Sequence, residues 1–157
     1  MKISAQEEYG IRCLLRLAEQ GAGGSLTIPE LARAEGLSPE YVAKLLRPLR
    51  QGGFVKSVRG QAGGYRLARR AGKIRLRDVL RALGRPFFDS RFCADHAGNV
   101  ERCTHAARCS LRPLWQGMQK AVDEVLGRVS LAELAGNPGP ALRQAGGQVT
   151  CSTRGGL

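Results

Sequence analysis

The chain has 157 residues, a formal net charge of +12, five cysteines and two histidines, and only 5% of its residues are aromatic. The charge is concentrated, because segment 44–85 contains thirteen Lys or Arg residues and a single acid, while the remainder of the chain sums to zero. Such a basic patch is typical of a domain that binds a polyanion, most often nucleic acid. The scarcity of aromatics argues against a single-strand stacking platform. With no apolar run of membrane-spanning length and no signal peptide, we expect a cytoplasmic protein without a membrane partner.

The first two predicted elements are helices, since their apolar residues recur at helical spacing. The first covers residues 7–20, and Cys13 within it is expected to be a buried apolar residue rather than a ligand. Thr27 and Glu30 form a capping box with a proline between them, which predicts a short second helix over 29–35.

A third helix is predicted to begin after Ser38, its N-cap, and to end before Gly52. Pro48 is expected to distort this helix or to end its regular part early. Two short helices joined by a glycine turn make a helix-turn-helix, and the basic outer face of the second is typical of a helix that lies in the DNA major groove. A solvated helix face is the alternative for these charges. Ser38, Tyr41 and Lys44 are expected to contact bases or to position the helix on the DNA. Arg47 is expected to contact a phosphate.

A β-hairpin is predicted next, because residues 54–59 alternate as in a strand and residues 65–67 return after a glycine-rich turn. We expect this hairpin to act as a wing whose tip residue, Arg59, enters a narrow minor groove, where the potential favours arginine. Gln61 in the turn is a further candidate for DNA contact. Five more basic residues are expected to follow the DNA backbone: Arg69, Arg70, Lys73, Arg75 and Arg77.

Three of the cysteines and both histidines lie within 17 residues, from Cys93 to Cys109. Thiolates and imidazoles are ligands of borderline and soft metals, and cysteine is the usual ligand of iron–sulfur clusters. Nine residues separate the first two of these cysteines and five the next two, a spacing that matches neither a zinc finger nor a ferredoxin. The alternative is a surface loop with redox-exposed thiols or a disulfide, which a cytosolic chain rarely keeps.

A stripe of apolar residues at helical spacing follows the cysteines and ends at Gly127; its members are Leu111, Leu114, Trp115, Met118, Val122, Val125 and Leu126. The stripe could be core, but a long apolar-faced helix after the last core element is better explained as a dimer seam. Ser130 and Glu133 form a capping box before a last short helix that ends near Ala135. The sequence after it is rich in glycine and proline, which is typical of a flexible tail, and contains Cys151 as a free thiol.

Together these elements predict a mainly α fold with a small β-hairpin, that is, a winged helix-turn-helix followed by a long C-terminal dimerisation helix. A helix over 76–83 is expected to close the first unit. Four segments are predicted: a winged helix-turn-helix DNA-binding domain over 1–86, a cysteine-bearing cluster loop over 87–109 (the cysteine loop), a dimerisation helix and short final helix over 110–135, and a flexible tail over 136–157.

Three phrases and the later cysteines resemble a known family. The phrases are Met-Lys-Ile-Ser at the start, Leu-Ser-Pro-Glu-Tyr-Val-Ala-Lys-Leu-Leu in the helix-turn-helix, and Gly-Gly-Phe-Val-Lys-Ser-Val-Arg-Gly-Gln-Ala-Gly-Gly-Tyr-Arg-Leu in the hairpin. They are similar to the winged-helix transcription regulators typified by the iron–sulfur cluster assembly regulator and the nitric-oxide-sensing repressor. The resemblance covers about residues 1–135, and its hairpin phrase is the most specific part.

The resemblance implies a homodimer on an imperfectly palindromic double-stranded DNA operator. It also implies an iron–sulfur cluster, 2Fe–2S in preference to 4Fe–4S, on Cys93, Cys103 and Cys109. The fourth ligand varies among relatives. In some it is an acid near the start of the first helix, supplied by the partner subunit, and Glu8 holds that place here. In others it is a histidine three residues after the last cysteine, where this chain has an arginine, so His105 and then His96 follow Glu8 as alternatives.

The expected function is therefore DNA-binding transcription regulation that senses redox state, iron–sulfur status or nitric oxide through the cluster. The alternative is a regulator of the same fold that holds no cluster and switches by oxidation of its cysteine thiols. An enzyme is not expected, because the sequence contains no catalytic acid–base pair or nucleophile motif and the basic patch would lack a role.

Overall fold

The structure, a computed structural model, describes residues 3–60 and 63–136. Its helices and strands follow the predicted order. They are α1 (Ala5–Glu19), α2 (Ile28–Glu35), α3 (Pro39–Gln51), β1 (Val55–Val58), β2 (Gly64–Leu67), a 3-10 turn (Ala71–Lys73), α4 (Leu76–Leu83), α5 (Phe92–Asp95), α6 (Leu111–Arg128) and α7 (Leu131–Gly136). The two strands pair antiparallel, with Val55 opposite Leu67 and Val58 opposite Gly64. The result is the expected mainly helical fold with one hairpin.

Local capping sets the helix starts. The Ser4 hydroxyl accepts a hydrogen bond from the Glu7 N–H at 3.2 Å, and the Glu7 carboxylate accepts one from the Ser4 N–H at 2.7 Å. This capping box starts α1 two residues before the predicted position. Thr27 and Ser38 cap α2 and α3 as predicted, each accepting from a backbone N–H three residues further on.

The prediction that Pro48 ends the regular part of α3 early is wrong. The helix continues to Gln51, and the Gly52 N–H donates to the Pro48 carbonyl at 2.9 Å. A proline inside a helix costs roughly 3 kcal/mol. Three leucines on the buried face of α3 are at most 1% exposed, and burying each contributes roughly 1.5–3 kcal/mol, so tertiary packing holds the last turn in place; they are Leu45, Leu46 and Leu49.

A single core lies under α1 to α4 and the hairpin. Cys13 is fully buried in it, as predicted, and burial followed by the charge of Glu35 raises the pKa of its thiol to about 11. The side chain of Glu35 is itself 3% exposed, and its two carboxylate oxygens accept from the Nε atoms of Arg12 and Arg16, each at 2.6 Å. These two arginines therefore tie α1 to the end of α2.

The end of the described chain returns to this core. The Leu76 N–H donates to the Val129 carbonyl at 3.0 Å, and the Leu131 N–H donates to the Ile74 carbonyl at 2.9 Å. Leu131 is fully buried, and Ser130 and Glu133 form the predicted capping box. The described residues from 129 onward, which belong to the predicted segment 110–135, thus pack on the winged helix-turn-helix unit. The division into four segments itself stays a prediction.

Candidate DNA-binding surface and cysteine loop

Three of the four residues predicted to contact DNA from α3 are exposed: Ser38, Lys44 and Arg47. Lys44 and Arg47 lie opposite the helix face that enters the core, and Ser38 is the N-cap at the start of α3. Tyr41 is half-buried, and its ring meets the ring of Tyr9 edge-on at 6.1 Å between centroids. Tyr41 is therefore placed to fix α3 against α1 as well as to meet DNA.

The hairpin carries Arg59 exposed at its tip, as predicted, directly after β1. Gln61 lies outside the described residues. Tyr65 exchanges two backbone hydrogen bonds with Leu26, at 2.8 and 2.9 Å, so the wing is anchored to the connection between α1 and α2. Gly64 has φ +145°, and a Cβ there would come within 2.5 Å of the Leu26 carbonyl oxygen, so this close approach requires glycine.

Three of the basic residues expected along the DNA backbone are engaged within the chain. The Arg69 guanidinium donates to the carbonyls of Gly53 at 2.9 Å and Gly52 at 3.0 Å, and it stacks over the ring of Phe54. It satisfies carbonyls at the end of α3. Arg75 donates to the Arg128 carbonyl at 3.2 Å, and Arg77 to the neighbouring Asp78 carboxylate at 3.4 Å. Arg70 and Lys73 remain exposed.

The three cysteines of the cysteine loop are free thiols, and all three are half-buried. Cys93 lies in the four-residue α5, whereas Cys103 and Cys109 lie in turns. Within residues 3–60 and 63–136, no three Cys, His, Asp or Glu side chains are grouped closely enough to hold a metal ion. Grouping of the three thiols around one metal ion therefore stays a prediction.

Arg85 joins the cysteine loop to the end of α4. Its guanidinium donates to the Asp89 carboxylate at 3.1 Å and to the Asp95 carboxylate at 3.0 Å, so it bridges residues on either side of Cys93. Burial acts to raise the pKa of Asp89, but Arg85 and the Arg91 N–H together hold it below its ordinary value. Sequence reasoning missed this bridge, because residues 84–89 are not helical and the helical pairing rule for a spacing of four does not apply to Arg85 and Asp89.

A family model described as "Iron-dependent Transcriptional regulator", named Rrf2, matches residues 3–137. The chain belongs to the Rrf2 family. The HTH-type transcriptional regulator IscR of Xenorhabdus nematophila is 31% identical over 137 residues, which are 87% of this chain and 80% of that protein. The solved structure of CymR, the global cysteine regulator of B. subtilis, has a TM-score of 0.68 at 32% identity and covers 86% of this chain and 96% of that chain. The crystal structure of Staphylococcus aureus CymR in its oxidised form has a TM-score of 0.66 at 31% identity, covering 87% and 98% of the two chains.

Membership of the Rrf2 family confirms the predicted winged-helix fold class and the predicted resemblance. The protein is a DNA-binding transcription regulator and not an enzyme. In the described residues no helix is both long and apolar enough to span a membrane.

The candidates for a fourth ligand of this Rrf2 protein, Glu8, His105 and His96, are all exposed. Among the described residues none of them belongs to a group of side chains that could hold a metal ion. Glu8 lies in the first turn of α1, where the helix dipole favours an acid, and His105 lies in a turn between two cysteines. The His96 ring stacks on Phe92 at 4.1 Å, and its Nδ1 is 2.8 Å from the Phe92 carbonyl oxygen. Arg112, which stands where some relatives have a ligand histidine, donates to the Ala106 carbonyl at 3.3 Å. Ligation by any of these residues stays a prediction.

Aromatic side chains attach the cysteine loop to α6. Phe87 meets Trp115 edge-on at 6.0 Å, and Phe88 packs against Phe92 at 5.0 Å between ring centroids. The Phe88 N–H also donates to the Gln119 side-chain oxygen at 3.0 Å. Three of the four phenylalanines already lie within residues 87–92 of the sequence, and the fold adds Trp115 of α6 to them.

The α6 helix has no buried residue in the single chain. One face lies towards α4, where Arg81 and Asp123 form an ion pair at 2.6 Å. Four large apolar residues elsewhere on it are 41–53% exposed: Leu111, Leu114, Met118 and Val125. Four of the seven residues of the predicted dimer seam are therefore exposed, whereas Trp115, Val122 and Leu126 are half-buried. Dimerisation itself stays a prediction.

Proposed function

We propose that this Rrf2-family regulator is a cytoplasmic homodimer whose cysteine loop holds an iron–sulfur cluster and sets operator affinity according to redox state, iron–sulfur status or nitric oxide. The observation that supports it most directly is the set of three free, half-buried thiols on a loop tied by Arg85 to α4. Because α4 packs on α3, a change in the loop has a direct route to the DNA-binding helix.

The donor set fits an iron–sulfur cluster in its chemistry. Cys93, Cys103 and Cys109 would supply three thiolates, and Glu8 of a partner or His105 would supply the fourth ligand. A bound 2Fe–2S or 4Fe–4S cluster would supply one-electron redox chemistry and sensitivity to oxidants. Within the described residues these side chains do not form a metal-binding group, so ligation would draw the three cysteines together, and the ligated and open loop would be the two states of the regulator.

Binding to double-stranded DNA would place the exposed face of α3 in the major groove, with Ser38, Tyr41 and Lys44 at the bases and Arg47 at a phosphate. Arg59 at the wing tip would enter the minor groove, with Gln61 beside it. A dimer must hold its two α3 helices about one DNA turn, roughly 34 Å, apart to bind both half-sites.

The burial pattern supports a second copy of the chain as the partner. No residue from 84 to 128 is buried, although this stretch contains an 18-residue helix. The exposed apolar residues at 111, 114, 118 and 125 recur at the three- and four-residue spacing of a helix-pairing seam. Pairing α6 with α6 of another copy would cover this face and fix the distance between the two wings.

Thiol oxidation without a cluster is the second candidate function, and one comparison favours it. A relative of similar fold at 31% identity, S. aureus CymR, has been crystallised in an oxidised form. The three free thiols of the cysteine loop could form a disulfide or a sulfenic acid in the same way as other exposed thiols.

One experiment separates the two candidates. Iron, acid-labile sulfide and the visible spectrum are measured on protein purified anaerobically, with Cys103→Ala as the variant and Cys13→Ala as the matched cysteine outside the loop. A cluster regulator gives a coloured protein that loses its colour and iron in Cys103→Ala and keeps them in Cys13→Ala. An iron-free, colourless protein whose operator affinity changes with thiol oxidation would refute the cluster and support the thiol switch.

A further inference from the structure

A cleft of about 510 Å³ lies where the connection between α1 and α2 passes the hairpin. Its lining combines basic side chains with small or apolar residues. Four lining residues are Lys or Arg, none is an acid, and the rest are glycine, alanine and leucine. The four basic residues are Lys56, Arg66, Arg69 and Arg70.

Two of these charges face each other across the hairpin. Lys56 of β1 is directly opposite Arg66 of β2, so both side chains project from the same face of the two-stranded sheet. Like charges directly opposite on a sheet destabilise it. The arrangement therefore favours a bound anion that neutralises both charges.

Arg66 carries an unused donor. Its Nε is shielded from solvent and has no hydrogen-bond partner among the described residues. A buried donor without a partner is costly, and the few found in folded proteins call for an explanation such as an ion. No ion pair within the part of the chain that the structure describes involves Lys56, Arg66 or Arg70. Arg69, in contrast, is held by the carbonyls of Gly52 and Gly53 and forms a fixed part of the wall.

We infer that this cleft binds a phosphate group. Several N–H donors on fixed strands, one of them already desolvated, suit a tetrahedral dianion, and the planar guanidinium of Arg66 can donate two parallel bonds to its oxygens. The site is separate from the residues proposed to contact bases and minor groove on α3 and at Arg59. The phosphate can come from a small phosphorylated molecule or from the DNA backbone, and only the second source rests on the proposed function.

The first arm of the test uses the full chain and inorganic phosphate. Arginine Nε–H signals are followed by ¹⁵N–¹H NMR while phosphate replaces chloride at constant ionic strength. The Arg66 signal should shift and saturate, and Lys56→Gln should weaken the affinity roughly tenfold or more, as expected for loss of a charge-assisted contact. Arg102→Gln, which removes an exposed arginine of the cysteine loop, should leave the affinity unchanged. An Arg66 signal that drifts without saturation, as the other arginines do, or equal effects of the two variants, would overturn the site.

The second arm identifies the source of the phosphate. Affinity for a short duplex is measured against salt concentration for the wild-type chain and for Arg66→Gln and Lys56→Gln. If the cleft takes a DNA phosphate, each variant lowers the salt slope by about 1. If the slope is unchanged while inorganic phosphate still saturates the Arg66 signal, the ligand is a free phosphorylated molecule. The inference fails if neither inorganic phosphate nor the duplex acts through Arg66, and that failure leaves the proposed function untouched.

Discussion

Replacing Arg85 by alanine should uncouple the cysteine loop from DNA binding while leaving the fold in place. The guanidinium is 51% exposed, and its partners Asp89 and Asp95 are 21% and 47% exposed. Exposed ion pairs contribute about 0.2–1 kcal/mol each, and the two pairs here share one nitrogen of Arg85, so their contributions do not add in full. Losing both should lower the free energy of unfolding by about 1 kcal/mol. Operator binding by a single, fixed loop state should therefore change little.

The same magnitude limits what the bridge can transmit. A loop state can shift operator affinity only through interactions that differ between the states. If the two ion pairs at Arg85 exist in one state and not in the other, they supply up to about 1 kcal/mol, which corresponds to a factor of about five in the affinity ratio. The variant Arg85→Ala should therefore reduce the ratio of operator affinities by up to fivefold. This ratio compares the reduced or ligated state of the loop with its oxidised state.

The assay is fluorescence anisotropy with the operator duplex, on each variant in both states, with urea unfolding as the check on stability. Arg81→Ala is the matched control, because it removes an equally exposed arginine whose ion pair goes to Asp123 of α6 instead of the loop. An affinity ratio that survives Arg85→Ala and collapses in Arg81→Ala would show that the signal runs through α6, and the bridge would then be structural only.

Four further outcomes follow from the structure. Glu35→Gln should lower the free energy of unfolding by about 2–3 kcal/mol in urea, because it leaves two arginines without their shared carboxylate, and their 41% and 43% exposure keeps the loss below that of a fully buried pair. Arg59→Ala should weaken operator binding in anisotropy titrations by about tenfold, and Arg143→Ala should not, while equal affinities would count against the wing-tip contact. Leu114→Arg should convert a dimer to a monomer in sedimentation velocity, since it puts a charge into the exposed seam; a dimer that persists would move the interface elsewhere. Iodoacetamide at pH 8 should modify the loop thiols and spare Cys13, which is fully buried and whose pKa of about 11 leaves only about 10⁻³ of it as thiolate; early alkylation of Cys13 in peptide mapping would mean that the core opens.

The helix-turn-helix could be predicted from sequence because its determinants are local. Thr27 and Ser38 cap their helices by hydrogen bonds that span three residues, and the glycine turn between them needs no distant partner. The outcome at Pro48 could not be predicted in the same way. Its tolerance depends on leucines that are buried by other elements, and this is information that a local propensity lacks.

The same distinction between local and distant determinants applies to the candidate site. Exposure of Arg59 and Lys44 followed from periodicity, and burial of Cys13 followed from its place on an apolar helix face. The bridge at Arg85 and the attachment of Phe87 to Trp115 join residues that come together only through the path of the chain between α4 and α6. Grouping of the loop cysteines around a cluster stays a prediction, because none of residues 87–109 is buried and the loop has no core that fixes where its side chains lie.

The lack of buried residues in the cysteine loop would suit it to the sensing role proposed above. Every residue from 87 to 109 is at least partly exposed, and regular structure within it is limited to the four residues of α5. Segments with few buried contacts open at low free energy, so their conformation follows whatever binds or oxidises them. The loop is nevertheless fixed at its N-terminal end by Arg85 and by the aromatic rings. Drawing Cys103 and Cys109 towards Cys93 would therefore move the free part of the loop against a fixed one, and the strain would fall on α4 and α6. Allosteric coupling of about 1–3 kcal/mol is typical of such arrangements, and the two ion pairs at Arg85 can carry only its lower end. In the proposed dimer the remainder would come from the α6 seam, where a shift of one helix against its copy would change the distance between the two wings.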